Sequence, residues 1–524
     1  MGFLPSVPAD PIVIALLGLL LSWALFCLLT RSKEPAGKWP PGPAPLPFIG
    51  NLHLLDLRRQ DKSLMKISEK YGPVFTIHFG LQKMVVLTGY QAVKEALVDS
   101  AEEFADRPPI PIFQRIQEGQ GIFFSSGNLW KTTRKFTMSS MHKLGMGKKL
   151  IAKKILEEFS FLEELIDSFK GEPFKLKLFN MAPTNVIFFL LFGERFDYQD
   201  PTFVTFIRLI DEVMVLLGSP FLHLFNFYPF LGWFLKPHKT VLVKIEEVRV
   251  ILRKYMVASR QNISRGYVTS YIDALIQKQS EEPKEDTYFS DENIVASILD
   301  LVMAGTETTA TSLQWAILLM AKYPEVQAKV QDELDRVLEK SRLPEYEDQK
   351  ALPYTNAVVH EIQRFIALLP HVPHSTSVDT HFRGYFIPKG TPVIPLLTSV
   401  LLDKTQWETP NKFNPSHFLD ADGNFVKKAA FLPFSIGKDP SLHFSRPPRL
   451  FRMLLNAFRM QVLEYKDFGL VLNLMIWDSV PYSITLWMND FLPLGLSFLT
   501  YKTKGLDQMK LKRPLPFFHT ILVI

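Results

Sequence analysis

Trp130 and Arg134 stand four residues apart in WKTTR, inside a segment of helical pattern. An indole N–H and a guanidinium therefore share one helical face, an arrangement that suits a carboxylate ligand. Glu361 and Arg364, in EIQR, are three residues apart and can pair in the same way. Residues 304–309 read AGTETT. A glycine inside a helical run costs about 1 kcal/mol relative to alanine. Successive threonine hydroxyls compete for backbone hydrogen bonds, which predicts a local distortion there. Taken singly, each group has a plain structural reading: a surface ion pair, a satisfied core residue, or a buried helix with threonines facing solvent. The chain has a single cysteine, Cys27, and it lies in an apolar N-terminal run. A disulfide framework and a cysteine-based zinc site are excluded, which suits a reducing compartment.

The elements that must position these residues follow from the pattern. Residues 11–30 carry no charge, and twenty residues at 1.5 Å rise cross a hydrocarbon core of about 30 Å. Asp10 precedes the run, and Arg31, Lys33 and Lys38 follow it. The positive-inside rule then places residues 1–10 in the lumen and the body in the cytosol, behind an uncleaved anchor. On that topology the sequon at Asn262 stays unmodified. Residues 31–50 are a basic and proline-rich linker whose prolines forbid helix. Residues 72–87 alternate and are rich in β-branched side chains, predicting a hairpin. Helical patterns dominate from 90 to about 366, including 155–169 and 241–258, and strand signals return at 376–393. The fold class is mainly α with small β-sheets, a single large domain over 51–438. In 439–524 an amphipathic helix is predicted at 449–466, followed by apolar but irregular sequence. At 524 residues, 47% apolar and 13% aromatic, the chain has ample material for a core. A net charge of +6 without a basic run interleaved with aromatics argues against nucleic acid and is compatible with an anionic membrane surface.

In their order, these segments resemble the haem-thiolate monooxygenases, cytochrome P-450, and in particular the microsomal branch called family 2. The resemblance covers about residues 40–438. It implies that Glu361 and Arg364 form a structural network with His417 of Pro415-Ser416-His417-Phe418. It implies that Glu307 and Thr308 are the acid and alcohol that relay protons to bound oxygen, in a groove opened by the distortion at 304–309. Trp130, Arg134 and His374 would contact the haem propionates. Residues 106–109 (DRPP) and 192–198 (FGERFDY) are further landmarks of family 2. The loop at 110–123 would line the substrate pocket with Ile112 and Phe113, facing Ala304. The implied cofactor is haem b. Electrons would come from NADPH through the membrane-bound NADPH–cytochrome P-450 reductase, with cytochrome b5 as a further partner. The implied reaction inserts one oxygen atom into small lipophilic molecules, such as xenobiotics, fatty acids or steroids, at the endoplasmic reticulum membrane.

The resemblance then breaks. The family's haem loop begins as expected with Phe434 and Gly437. Asp439, Ser441 and His443 then stand where a basic residue, the cysteine and a glycine belong. An anion replaces a propionate-binding cation, and a neutral hydroxyl replaces the thiolate that favours O–O cleavage. The change at 438/439 has the form of a shifted reading frame or an alternative exon. The chain as written is expected to be inactive in the family's reaction. The competing readings are a haem-free membrane protein that keeps the scaffold, and a haem protein ligated by His443.

Overall fold

The computed structural model describes residues 38–56, 59–146, 149–170, 174–263, 267–282, 288–338 and 346–437, together with Gly18, Leu21 and Ser22. The expected anchor at 11–30, apart from those three residues, lies outside the described set. So does everything expected of 439–524, including Ser441, His443 and the helix at 449–466. Among the described residues no helix is long and apolar enough to cross a membrane.

The alternating segment folds as expected into an antiparallel hairpin, β1 (Val74–Phe79) with β2 (Gln82–Leu87). Two later strands complete a four-stranded sheet in the order β1-β2-β6-β3. Here β6 (Pro392–Pro395) runs parallel to β2 and β3 (His374–Ser375) antiparallel to β6. A separate hairpin pairs β4 (Thr380–Phe382) with β5 (Tyr385–Ile387) around Gly384. The proline-rich segment is extended and lies along β1: Thr76 donates to the Pro41 carbonyl through its amide at 2.8 Å and to the Pro40 carbonyl through its hydroxyl at 2.8 Å.

Helices make up most of the described chain between 90 and 366, and 402–437 is largely irregular. Those used below are α1 (Gln60–Tyr71), α2 (Tyr90–Lys94), α3 (Pro111–Gln117), α4 (Gly127–Lys143), α5 (Lys149–Asp167), α6 (Met181–Phe192), α7 (Pro201–Leu217), α8 (Pro220–Phe227), α9 (Pro237–Ile263), α10 (Tyr271–Glu281), α11 (Asp291–Lys322), α12 (Pro324–Val337) and α13 (Pro353–Ile366). The helices predicted at 155–169 and 241–258 are α5 and α9; α9 begins earlier because its polar first turn carries no hydrophobic signal, and α5 begins six residues earlier and ends two residues sooner than its predicted span. The region 110–123 is not all loop. Pro111 sits at the first turn of α3, where its fixed φ and missing N–H are tolerated.

The 32-residue α11 crosses the main core. Ser290 caps it by accepting from Asn293 N at 3.2 Å, and Asp291 and Glu292 face the positive end of the helix dipole. It packs on α6, on the 3-10 turn Leu176–Asn180 and on α13. Gly305 is explained by that packing. A Cβ there would lie 2.6 Å from Ile187 Cδ1 and 2.8 Å from its Cγ1. α11 runs as one continuous helix through the distortion predicted at 304–309. Thr308 Oγ1 donates to the Ala304 carbonyl at 2.6 Å and Ser312 Oγ to the Thr308 carbonyl at 2.8 Å, the back-bonding to the preceding turn that bends helices without breaking them.

Gly305→Ala is expected to destabilise the protein by about 1–3 kcal/mol in denaturant unfolding, because overpacking outweighs the gain in helix propensity. In an Ile187→Ala background the same change is expected to be close to neutral.

Candidate active site

Midway along α11 the burial pattern changes. Residues 293–299 and 310–320 are buried, whereas Ala304, Gly305, Thr308 and Thr309 form a partly exposed strip. A helix enclosed on both sides of such a strip presents it to a space that a small molecule can reach. Thr308 lies on this strip, as expected of the alcohol. Glu307, one residue back, points elsewhere. It is buried, accepts from Thr311 Oγ1 at 3.4 Å, and its Oε2 has no described hydrogen-bond partner. Burial first, then Asp211 of α7, pushes its carboxyl up to about 7, while Thr311 and Lys177 pull it down. Lys177 and Asp211 form an ion pair of their own. A carboxyl near 7 exchanges protons readily at neutral pH.

Elsewhere in the fold, four donor side chains from three regions gather. Arg134 sits 5.2 Å over the Trp130 ring within α4. Arg107 precedes α3; its Nη1 donates to the Pro373 carbonyl at 2.7 Å and its guanidinium lies 6.0 Å from the Phe123 ring. His374 opens β3 and donates through Nδ1 to the Phe104 carbonyl at 2.8 Å. Burial, then the charge of Arg134, lowers Arg107 to about 10. Burial, then Arg107, lowers His374 to about 3. Cations that disfavour each other's charge in a half-buried place are the donor set for an anion, and a bound carboxylate would reverse both shifts. With Nδ1 committed to Phe104, His374 can donate to such a ligand through Nε2 only when protonated, the form a carboxylate favours. Arg107 is the member that the sequence reading named only as part of a landmark. Its signal was an arginine fixed by the two following prolines.

The expected pocket residues divide. Ile112 is enclosed in the main core, with its amide donating to Asn226 Oδ1 at 3.1 Å. Phe113 is nearly enclosed and stacks on Phe124 at 4.1 Å between ring centroids. Ala304 is on the strip. Phe434 and Gly437 are partly buried at the end of the described chain.

Away from the strip, Glu361 and Arg364 of α13 are fully buried and bidentate, with Nε–Oε2 and Nη2–Oε1 both 2.7 Å. Arg364 also donates to the carbonyls of Leu401, Pro410 and Lys412 at 2.8, 2.9 and 3.0 Å. Glu361 accepts from Asn414 N at 2.8 Å and from His417 Nδ1 at 3.2 Å. His417 Nε2 accepts from Thr409 N at 3.1 Å, which fixes the Nδ1–H tautomer. The three residues expected to form a network do so.

The family model for cytochrome P450 matches residues 40–439. The chain belongs to the cytochrome P450 family. It is 59% identical to Cytochrome P450 2W1 of Homo sapiens over 429 residues, covering 82% of this chain and 87% of that protein. It is 42% identical to Cytochrome P450 2C14 of Oryctolagus cuniculus over 433 residues, covering 82% and 88%. These relatives place it in the microsomal family 2 branch. Members of this family of monooxygenases use haem and take electrons from a redox partner such as NADPH–P450 reductase.

The donor set at Arg107, Trp130, Arg134 and His374 fits the carboxylates on the edge of a haem. The chain's one cysteine, Cys27, lies ahead of the residues that the family model matches. No chemical step through iron follows from these residues.

Two outcomes are expected. Folding raises the Glu307 pKa from 4.5 to about 7, so the folded state binds the extra proton within that window and stability falls as pH rises through it. Glu307→Gln should therefore gain stability relative to the parent between pH 5 and pH 8, by roughly 3 kcal/mol, in paired denaturant titrations. Glu361→Gln leaves Arg364 buried without its counter-charge and should cost about 3–5 kcal/mol by the same measurement.

Proposed function

We propose that this chain carries the scaffold of a microsomal monooxygenase for small lipophilic molecules, and that as written it does not perform that reaction. The observation that carries the first half is the cluster of Arg107, Trp130, Arg134 and His374, a donor set for an anion, in a chain that also keeps a partly exposed helical strip at Ala304 and Thr308. The family match supports haem b as the group that cluster would hold, with activation of O2 as the chemistry haem supplies when bound. The chain's own part would be to hold the anionic edge, to present an apolar helix face to the substrate, and to keep Glu307 and Thr308 near it as proton carriers. What supports the second half is the cysteine count together with the end of the family match at Asp439, two residues short of Ser441. Without a thiolate the electronic push toward O–O cleavage is missing, and a serine hydroxyl does not replace it.

Location at the endoplasmic reticulum membrane, with the reductase and cytochrome b5 as partners, belongs to the same reading. It is supported by the charge-free run at 11–30 and by a patch of exposed aromatic residues after α8. Phe230, Trp233 and Phe234 are 70%, 83% and 76% exposed. Tyr228, next to them, donates to the Phe48 carbonyl at 2.5 Å, which brings exposed Phe48 and Ile49 alongside. Aromatic side chains in such a patch suit the membrane–water interface. This patch also favours the second reading, a membrane-bound scaffold without haem.

The spectrum of the purified chain, supplied with haem, reduced and saturated with carbon monoxide, tests the proposal. No red-shifted thiolate-type Soret band is expected. Its appearance would overturn the inactive assignment, and a band of imidazole type would shift the assignment to ligation by His443.

A further inference from the structure

Arg249 of α9, Gln117 of α3 and Asp300 of α11 are far apart in sequence and meet end to end. Asp300 is the hub. Its Oδ2 accepts from the amides of Ile122 and Phe123 at 2.7 and 2.9 Å, and its Oδ1 accepts from Gln117 Nε2 at 2.6 Å. Gln117 is buried, and its Nε2 also reaches the Ala296 carbonyl at 3.3 Å. That leaves the Gln117 Oε1 to face Arg249 Nη2, at 3.4 Å, while the same Nη2 donates to the Ile116 carbonyl. The amide of Gln117 is thereby oriented from both ends, since only an acceptor suits Arg249 and only a donor suits Asp300. Gly121 fits this closeness. A Cβ there would lie 2.4 Å from Asp300 Oδ2, its φ is +86°, and its N–H goes to Asn293 Oδ1 at 2.8 Å. Burial pushes the Asp300 carboxyl up to about 6 against the pull of these donors and of Arg249.

We infer that Arg249, Gln117 and Asp300 are positioning residues, an ordered relay that clamps residues 118–124 onto α11 and ties that clamp to α9. The held segment is the one whose Phe124 stacks on Phe113 and whose Phe123 lies under Arg107. The relay therefore sets residues 118–124 against α11 one turn before Ala304 and, through Phe123, adjoins Arg107. A shift of α9 along its axis reaches that segment through Arg249, by way of the Gln117 amide and the Ile116 carbonyl. The consequence for substrate rests on the monooxygenase-scaffold reading, whereas the clamp itself does not.

The polarity of the relay supplies the test, read as amide hydrogen exchange on the full chain without haem, so that the spectrum of the iron has no bearing on it. In Asp300→Asn the oxygen can still serve Ile122 and Phe123. Its new NH2 then opposes the Gln117 donor, and the amide must turn away from either Asp300 or Arg249. Exchange at Ile122 and Phe123 is expected to rise about tenfold, with distant helices unchanged. Adding Gln117→Glu restores the pattern, because the new carboxylate accepts from the amide introduced at position 300 and pairs with Arg249. The double variant is expected to recover at least half of the lost protection, a coupling that a merely bulky or polar role would not produce. The inference is overturned if Asp300→Asn leaves exchange at both amides within twofold of the parent, or if Gln117→Glu adds nothing to it. Should Asp300→Asn fail to fold, Arg249→Ala gives the same decision from the outer end. Faster exchange at Ile122 and Phe123 supports the relay, and unchanged exchange overturns it.

Discussion

The arginine at 364 fixes the path of the irregular backbone between 401 and 412. All five of its N–H groups are used, two on Glu361 and three on carbonyls of Leu401, Pro410 and Lys412. A guanidinium without solvent exposure tolerates no loose geometry, because each unmet donor would carry its full desolvation cost. The segment from 401 to 417 has little regular structure with which to hold itself, and its path is set by where these carbonyls must point. Asn414 and His417 then close the pattern on the other side of Glu361, and Thr409 fixes the histidine tautomer. One ion pair inside α13 thus organises a stretch of irregular backbone as firmly as a sheet would.

The helix α11 makes a second demand, since it must be a core element and a site wall at once. Its buried residues near 293–299 and 310–320 belong to the main hydrophobic core, and between them one face opens at Ala304, Gly305, Thr308 and Thr309. Neighbouring residues on an α-helix point about 100° apart, as 3.6 residues make a turn. This is why Glu307 and Thr308 part company. The acid enters the core toward Lys177 and Asp211, and the alcohol stays on the strip. Adjacent positions in sequence thus place a buried carboxyl and a partly exposed hydroxyl in two environments.

Much of this was legible in the residues alone. The hairpin at β1 and β2, the helices around 155–169 and 241–258, and the pairing of Glu361 with Arg364 follow from periodicity and spacing, which are properties of local backbone geometry, whereas His417, 56 residues from Glu361, was implied only by the family resemblance. Three things were not legible. α3 is seven residues long, too short for a periodic signal to rise above its loop-like setting. The glycine at 305 answers to Ile187, a contact across more than a hundred residues that no local pattern reports. The threonines of 304–309 have two hydrogen-bonding options, and which one wins depends on the packing of the whole helix.

The side chains gathered at Arg107 and His374 also have a structural task, which their supporting bonds reveal. Arg107 is held by the Pro373 carbonyl and His374 by the Phe104 carbonyl. Ser375, the next residue, donates to the Asp106 carbonyl at 2.7 Å, joining the end of the sheet to the residue before Arg107. These bonds stitch the segment before α3 to β3, so the same side chains that face a ligand also fasten two distant parts of the chain. They persist on grounds of folding whether or not iron is present. The cluster is therefore evidence about the scaffold before it is evidence about any ligand, because each of its members would be kept in place by the backbone carbonyl it holds.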